Sequence, residues 1–70
     1  MNQPNVIDVF YQPKTDDFAV RKSGNTRLTR DHLTEDEAIS VAKPMAKRED
    51  IIRITHKNGT TQIIDGSDAN

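Results

Sequence analysis

Two histidines and several acids are the residues in this chain best suited to chemistry. His56 stands just before Lys57-Asn58-Gly59, and His32 follows Asp31. A histidine works as a general acid or base when a proton to be moved lies in reach and a carboxylate orients the ring. No spacing fixes an acid beside His56, so it reads as a partly buried, hydrogen-bonded residue beside Thr61. His32 reads as a loop residue leading into a helix cap. Two histidines without cysteine hold a metal only if the fold brings carboxylates to them, and the spacing carries no such signal. Asp16-Asp17 and the group Asp31, Glu35, Asp36 and Glu37 contain neighbouring acids. Solvation in a turn and the positive end of a helix dipole explain them better than paired acid–base catalysis. Ser23-Gly24-Asn25 is too short and too poor in glycine to cradle a phosphate. With no nucleophile–base arrangement, the chain is expected to be non-enzymatic, with no cofactor, metal or small-molecule substrate.

The remaining polar chemistry is cationic. Arg21, Lys22, Arg27 and Arg30 fall in a stretch without an acid, and Arg53 and Lys57 follow later. Together they suggest nucleic-acid contact through a basic β2–β3 region and an exposed sheet face, since a sheet can lie in a DNA major groove. The overall balance opposes this. There are 10 Lys and Arg against 11 Asp and Glu, net −1, whereas a dedicated nucleic-acid binder is usually basic. The competing surface is apolar: Tyr11, Ile51 and Ile64, available to another copy or to a partner protein.

The elements that must carry these residues follow from periodicity. Val6 to Gln12 and Phe18 to Lys22 are β-rich runs separated by the turn composition of Gln12 to Asp17. In the first run Val6, Asp8 and Phe10 point one way and Ile7, Val9 and Tyr11 the other. In the second Phe18 and Val20 share a face, with Ala19 and Arg21 opposite. A short third strand is expected around Arg27 to Thr29. Thr34-Glu35-Asp36-Glu37 is a capping box. It predicts a helix from Glu35 to about Glu49, with Ala38, Ile39, Val41, Ala42, Met45 and Ala46 on one arc. Lys47 and Arg48 then suit its negative end. Pro44 removes the bond to the Ser40 carbonyl, so the helix either kinks there or breaks into two short helices.

Asn58-Gly59, between runs rich in isoleucine and threonine, predicts a hairpin with a two-residue type I′ turn. That register pairs Lys57 with Thr60, Thr55 with Gln62 and Arg53 with Ile64, alternating with His56–Thr61, Ile54–Ile63 and Ile52–Asp65. Ile52, Ile54 and Ile63 then face the helix. Arg53, Thr55, Lys57, Thr60 and Gln62 face water, with Ile51 and Ile64 near the end of that face. The fold class is α+β: a small antiparallel sheet with one helix on one face, in the order β-β-(β)-α-β-β. A single domain spans residues 5–66, between a frayed start (1–4) and a flexible tail (67–70).

Seventy residues, 33% of them hydrophobic, allow one domain that buries only about 60% of its unfolded surface. Self-association would add stability. The absence of cysteine excludes disulfides and fits the cytosol. The opening residues lack the basic and apolar regions of a signal peptide. No run approaches the ~18 apolar residues of a membrane-spanning helix.

Phe18, Val20, Gly24, Thr34, Glu37, Ala38, Ala42, Ala46, Ile52, Ile54, His56, Asn58 and Gly59 form a pattern that resembles the bacterial domain of unknown function 2188. The resemblance spans about Asp16 to Asp65. Phe18 stands where that pattern carries Trp. The resemblance implies a fold and a bacterial or phage source, and it supplies no chemistry. The expected function is therefore a small binding module acting through protein contacts or self-association, with nucleic-acid binding as the alternative.

Overall fold

The computed structural model describes residues 5–69. The frayed start expected for residues 1–4 lies outside the described residues, as does Asn70. The elements are β1 (Val6–Gln12), β2 (Asp17–Lys22), β3 (Arg30–Leu33), α1 (Glu35–Met45), β4 (Ile51–Thr55), β5 (Thr61–Asp65) and a final helical turn, α2 (Gly66–Ala69). The five strands form one sheet in the order β3-β2-β1-β4-β5. This is the expected α+β architecture and element order, with one difference in the sheet. β1 and β4 run parallel at its centre, and the other neighbours are antiparallel. The sheet is mixed because α1 carries the chain across one face, from the β3 edge to the far side of β1. A helical crossover of that kind is what joins parallel strands.

α1 lies mainly over β1, β2 and β3 and touches β4 less. Its small residues Ala38 and Ala42, and Ala46 just past its end, are buried against Ile7, Val9, Phe18, Val20, Leu33, Ile52 and Ile54, while Ile39, Val41 and Met45 pack around the margin. Alanines on the inner arc let the helix approach the sheet closely. The bulky side of the contact is then supplied by the strands, where β-branched residues fit the pleat.

Both ends of α1 have identifiable causes. At the start, the Thr34 hydroxyl accepts the Glu37 N–H at 3.2 Å and Glu37 accepts the Thr34 N–H at 2.9 Å, the reciprocal capping box expected. At the end, the helix stops at Met45, one residue past Pro44. It neither continues to Glu49 nor resumes as a second helix. Pro44 has no N–H to give Ser40, and the Ala46 N–H bonds three residues back to the Lys43 carbonyl at 3.3 Å. The Lys47 N–H, which would have bonded to Lys43 in a longer helix, instead donates to the Asp50 carboxylate at 3.0 Å. Lys47 and Arg48 therefore lie beyond the helix, and Lys43 is the basic residue of its last turn.

Asp50 is the one buried charged or polar residue recorded among the described residues, 2% exposed. Its second carboxylate oxygen accepts the Asn5 N–H at 2.9 Å. Its backbone N–H bonds to Lys47 O at 3.0 Å, and its carbonyl accepts the Gly66 N–H at 2.7 Å. One residue thus ties the start of β1, the end of α1 and the end of β5. Gly66 meets this knot so closely that an added Cβ would sit 2.0 Å from the Lys47 carbonyl oxygen and 2.6 Å from that of Asp50.

The hairpin register differs from the expected one by a single residue. Ile52 pairs with Ile64, Arg53 with Ile63, Ile54 with Gln62 and Thr55 with Thr61. His56 N–H donates to Thr60 O at 2.8 Å, and Gly59 N–H donates to His56 O at 2.9 Å. The loop is Lys57-Asn58-Gly59, three residues long. Gly59 has φ +89° and Asn58 is not left-handed. A type I′ turn needs positive φ at both central positions, whereas a three-residue loop needs it only at the closing glycine. Asn58 instead turns its Oδ1 to the N–H and hydroxyl of Thr60, at 3.1 and 2.7 Å. Because side chains alternate, the slip exchanges the faces of β5. Ile64 packs toward the core, and Ile63 stands in water at 54% exposure.

The third strand lies after the Arg27–Thr29 position expected for it. Arg30 pairs with Val20 and Leu33 with Phe18, so three steps of β3 match two of β2. The extra residue is taken up where His32 is left-handed, φ 57°. Only Leu33 of this strand is buried, which is why no alternating pattern marks it in the sequence.

Urea unfolding of dilute protein tests these contacts. Gly66→Ala is expected to cost about 1–3 kcal/mol or more, because two backbone carbonyls must move. Ile54→Ala should cost about 2–5 kcal/mol, while Ile63→Ala should stay within roughly 0.5 kcal/mol.

Candidate interaction surface

Among the described residues, nothing covers the face opposite α1. It carries Val6, Asp8 and Phe10 from β1, Ala19 and Arg21 from β2, Ile51, Arg53 and Thr55 from β4, and Thr61 and Ile63 from β5, as the registers require. Across its middle runs the row Arg21–Asp8–Arg53–Ile63. Arg53 Nε donates to Asp8 Oδ1 at 2.8 Å, and the Arg21 guanidinium lies 5.7 Å from the centre of the Phe10 ring. Asp8, Phe10, Arg21, Arg53, Thr55 and Thr61 line an open depression there. It offers a cation over a ring and an ion pair, flanked by aliphatic residues.

The six cations singled out in the sequence are not brought together. Only Arg21 and Arg53 share the bare face, and Asp8 stands between them. Lys22 is half-buried, close enough to Asp50 to help hold its carboxyl in the charged form. Arg27 is exposed in the loop before β3. Arg30 lies on the helix side, where its charge reaches Glu37. Lys57 lies in the hairpin loop rather than on the bare face, pairing with Asp16 at 3.2 Å and lying 5.4 Å from the Tyr11 ring centre. Gln62, also expected on the bare face, lies on the helix side beside Ile54.

The three apolar candidates also part company. Ile51 is on the bare face, half-buried. Tyr11 is on the helix side with its ring tilted against Phe18, centroids 5.5 Å apart. Its hydroxyl donates to Asp16 Oδ1 at 2.5 Å. Ile64 is on the helix side, half-buried and packed against the core. Ile63, opposite Arg53, is the β5 isoleucine on the bare face. Ile63 and Leu28, at 36%, are the large hydrophobic residues recorded as exposed.

The titratable residues gather where β1 and β4 end and α1 begins. His56 Nδ1 contacts Glu35 Oε1, an acid that no sequence spacing had placed beside it. The contact arises because the hairpin loop reaches the first turn of α1. His32 belongs to β3 rather than to a loop, and its Nδ1 lies 2.8 Å from Asp17 Oδ2. The Asp17 hydrogen bond, then the charges of Asp31 and Asp17, raise the His32 pKa above 6.5. The tyrosine hydroxyl, then Lys57, lower the Asp16 pKa, and the Asp16 hydrogen bond raises both Tyr11 and Lys57. The His56–Glu35 pair ties the end of β4 to the helix, His32–Asp17 ties β3 to β2, and Asp16 ties the β1–β2 turn to Tyr11 and the hairpin loop.

The two sheet edges differ. β3 is guarded by its bulge, the left-handed His32, Arg30 and Asp31, features that discourage pairing with another strand. β5 reads Thr-Gln-Ile-Ile-Asp, with no proline, lysine or bulge. Its register with β4 is unbroken, and α1 has no contact with it comparable to those with β1–β4.

A five-stranded mixed sheet with one helix on one face and the other face bare defines a small α+β domain. The chain belongs to the family described as "Uncharacterized protein conserved in bacteria (DUF2188)", whose model matches residues 7–68. No curated protein and no solved structure matches it. No helix among the described residues is long and apolar enough to cross a membrane.

Two pH measurements follow. The Lys47 and Asn5 amides hold the Asp50 pKa below 3.8, and the Thr34 bonds hold Glu37 below 4.5. Carboxyls with lowered folded values stabilise above their unfolded pKa and cease to as pH falls through the folded one. The stability gap between wild type and Asp50→Asn, read by urea unfolding, should therefore be full at pH 7 and narrow below about pH 4. His32 has the opposite sign: its pairing stabilises below 6.5 and is lost as pH rises through its folded value. Asp17→Asn should bring the NMR titration of His32 back down toward 6.5.

Proposed function

We propose that this protein is a non-catalytic binding module of the bacterial cytosol that works through protein contacts, and that its working surface is the β5 edge with the adjoining bare face. The observation that carries this reading is the asymmetry of the edges: β3 is bulged and charged, while β5 is regular and carries exposed Ile63. A free strand edge presents backbone donors and acceptors to any strand that comes alongside, and the side chains beside it select the partner. The apolar residues next to the edge favour protein over polyanion, as does Asp8 between the two arginines of the bare face.

The test combines two titrations. A capped strand-forming peptide with the residues of Thr60 to Asp65 should shift amide signals of β5 and leave β3 signals in place. A mixed-sequence DNA duplex at low salt should leave the spectrum unchanged. DNA binding that weakens steeply with salt, and is lost in both Arg21→Glu and Arg53→Glu, would replace this reading with nucleic-acid recognition.

A further inference from the structure

The hydrogen bonds of the hairpin determine which backbone groups of β5 remain open. His56 N–H meets Thr60 O, and Gly66 N–H meets Asp50 O. Between those points the β4–β5 register is continuous. In an antiparallel pair, alternate residues exchange bonds with the neighbour. Gln62 and Ile64 therefore turn their backbone groups to β4, and Thr61, Ile63 and Asp65 turn theirs to the free edge.

Such an edge is self-complementary. We propose that the partner strand is β5 of a second copy of this chain, paired antiparallel about a two-fold axis at Ile63, which joins two five-stranded sheets into one. This rests on the reading of the β5 edge as the working surface. In this register the two Ile63 residues exchange their outward backbone bonds, and each Asp65 N–H meets a Thr61 carbonyl. Each Ile63 side chain, 54% exposed in the single chain, gains the other as its neighbour on the bare face. Its flanking cation does not intrude, because Asp8 holds Arg53 Nε on the β1 side. Sliding the pair toward the C-terminus brings the two Asp65 carboxylates together, which like charges oppose. Sliding it the other way leaves fewer residues paired. A net charge of −1 sets little general repulsion against association. A two-fold contact using one patch twice is the commonest form of small oligomer.

Sedimentation velocity of the full chain over a wide concentration range, with amide hydrogen exchange in parallel, tests the proposal. Wild type should pass from monomer to dimer. The Thr61, Ile63 and Asp65 amides should become protected as it does, while Gln62 and Ile64 are protected throughout. Ile63→Lys should raise the dissociation constant by about tenfold or more. Thr61→Pro removes an outward-facing N–H at the first position of an edge strand, where proline is tolerated, and should weaken the dimer while the fold remains. Leu28→Lys, near the opposite edge, should leave association unchanged.

A chain that stays monomeric at every concentration, with those three amides exchanging freely, would overturn the second copy as partner and leave the edge open to a different strand. Protection of the three amides at dilutions where the chain sediments as a monomer would remove both this proposal and the edge reading beneath it. A dimer that survives both Ile63→Lys and Thr61→Pro would place the contact elsewhere and overturn the register.

Discussion

The buried carboxylate of Asp50 is the constraint on which the rest of the molecule depends. It takes one amide from Asn5 and one from Lys47, and its own carbonyl takes the amide of Gly66. A carboxylate removed from water is costly unless its lone pairs are filled, so this arrangement is close to obligatory once Asp50 is inside. Three consequences follow. The helix ends at Met45 because the next free amide is claimed. β1 starts beside β4 and parallel to it, with Val6 opposite Ile51. The chain leaving β5 must pass against Lys47 and Asp50, where only a residue without a side chain fits.

That last contact reaches the outer surface. Gly66 bonded to Asp50 fixes one end of the β4–β5 ladder, and the Lys57-Asn58-Gly59 loop fixes the other. Between them the count of residues is settled, and with it the side each isoleucine takes. Ile64 goes in and Ile63 goes out. The same pair of ties leaves Thr61, Ile63 and Asp65 with their backbone groups toward the open edge. A buried acid at one end of the molecule thus decides what another molecule would meet along β5.

The features legible in the sequence were those settled by near neighbours. The capping box at Thr34 and Glu37, the alternation of Ile7 and Val9, and the alanine arc of α1 all depend on residues a few positions apart. The hairpin's existence was legible from Asn58-Gly59, and its register was not. Both loop lengths accept that dipeptide, and the choice depends on whether Asn58 turns left-handed or uses its side chain to hold Thr60. One residue of difference there inverted the faces of β5 and moved the exposed isoleucine from 64 to 63. β3 was misplaced because its bulge breaks alternation and it buries only Leu33. Asp50 left no local trace: an acid just before an aliphatic strand looks like ordinary punctuation until Asn5 and Lys47 arrive beside it. The same holds for His56, whose acid, Glu35, lies 21 positions away in the chain.

The most direct test of this account is the set of close Hα–Hα contacts between β4 and β5, read from nuclear Overhauser spectra of the dilute protein. If the Asp50–Gly66 tie sets the register, strong cross-peaks join Arg53 to Ile63 and Thr55 to Thr61. Cross-peaks joining Ile54 to Ile63 and His56 to Thr61 would mean the two-residue turn had won. Ile63 would then lie inside, and the surface built around it would not exist.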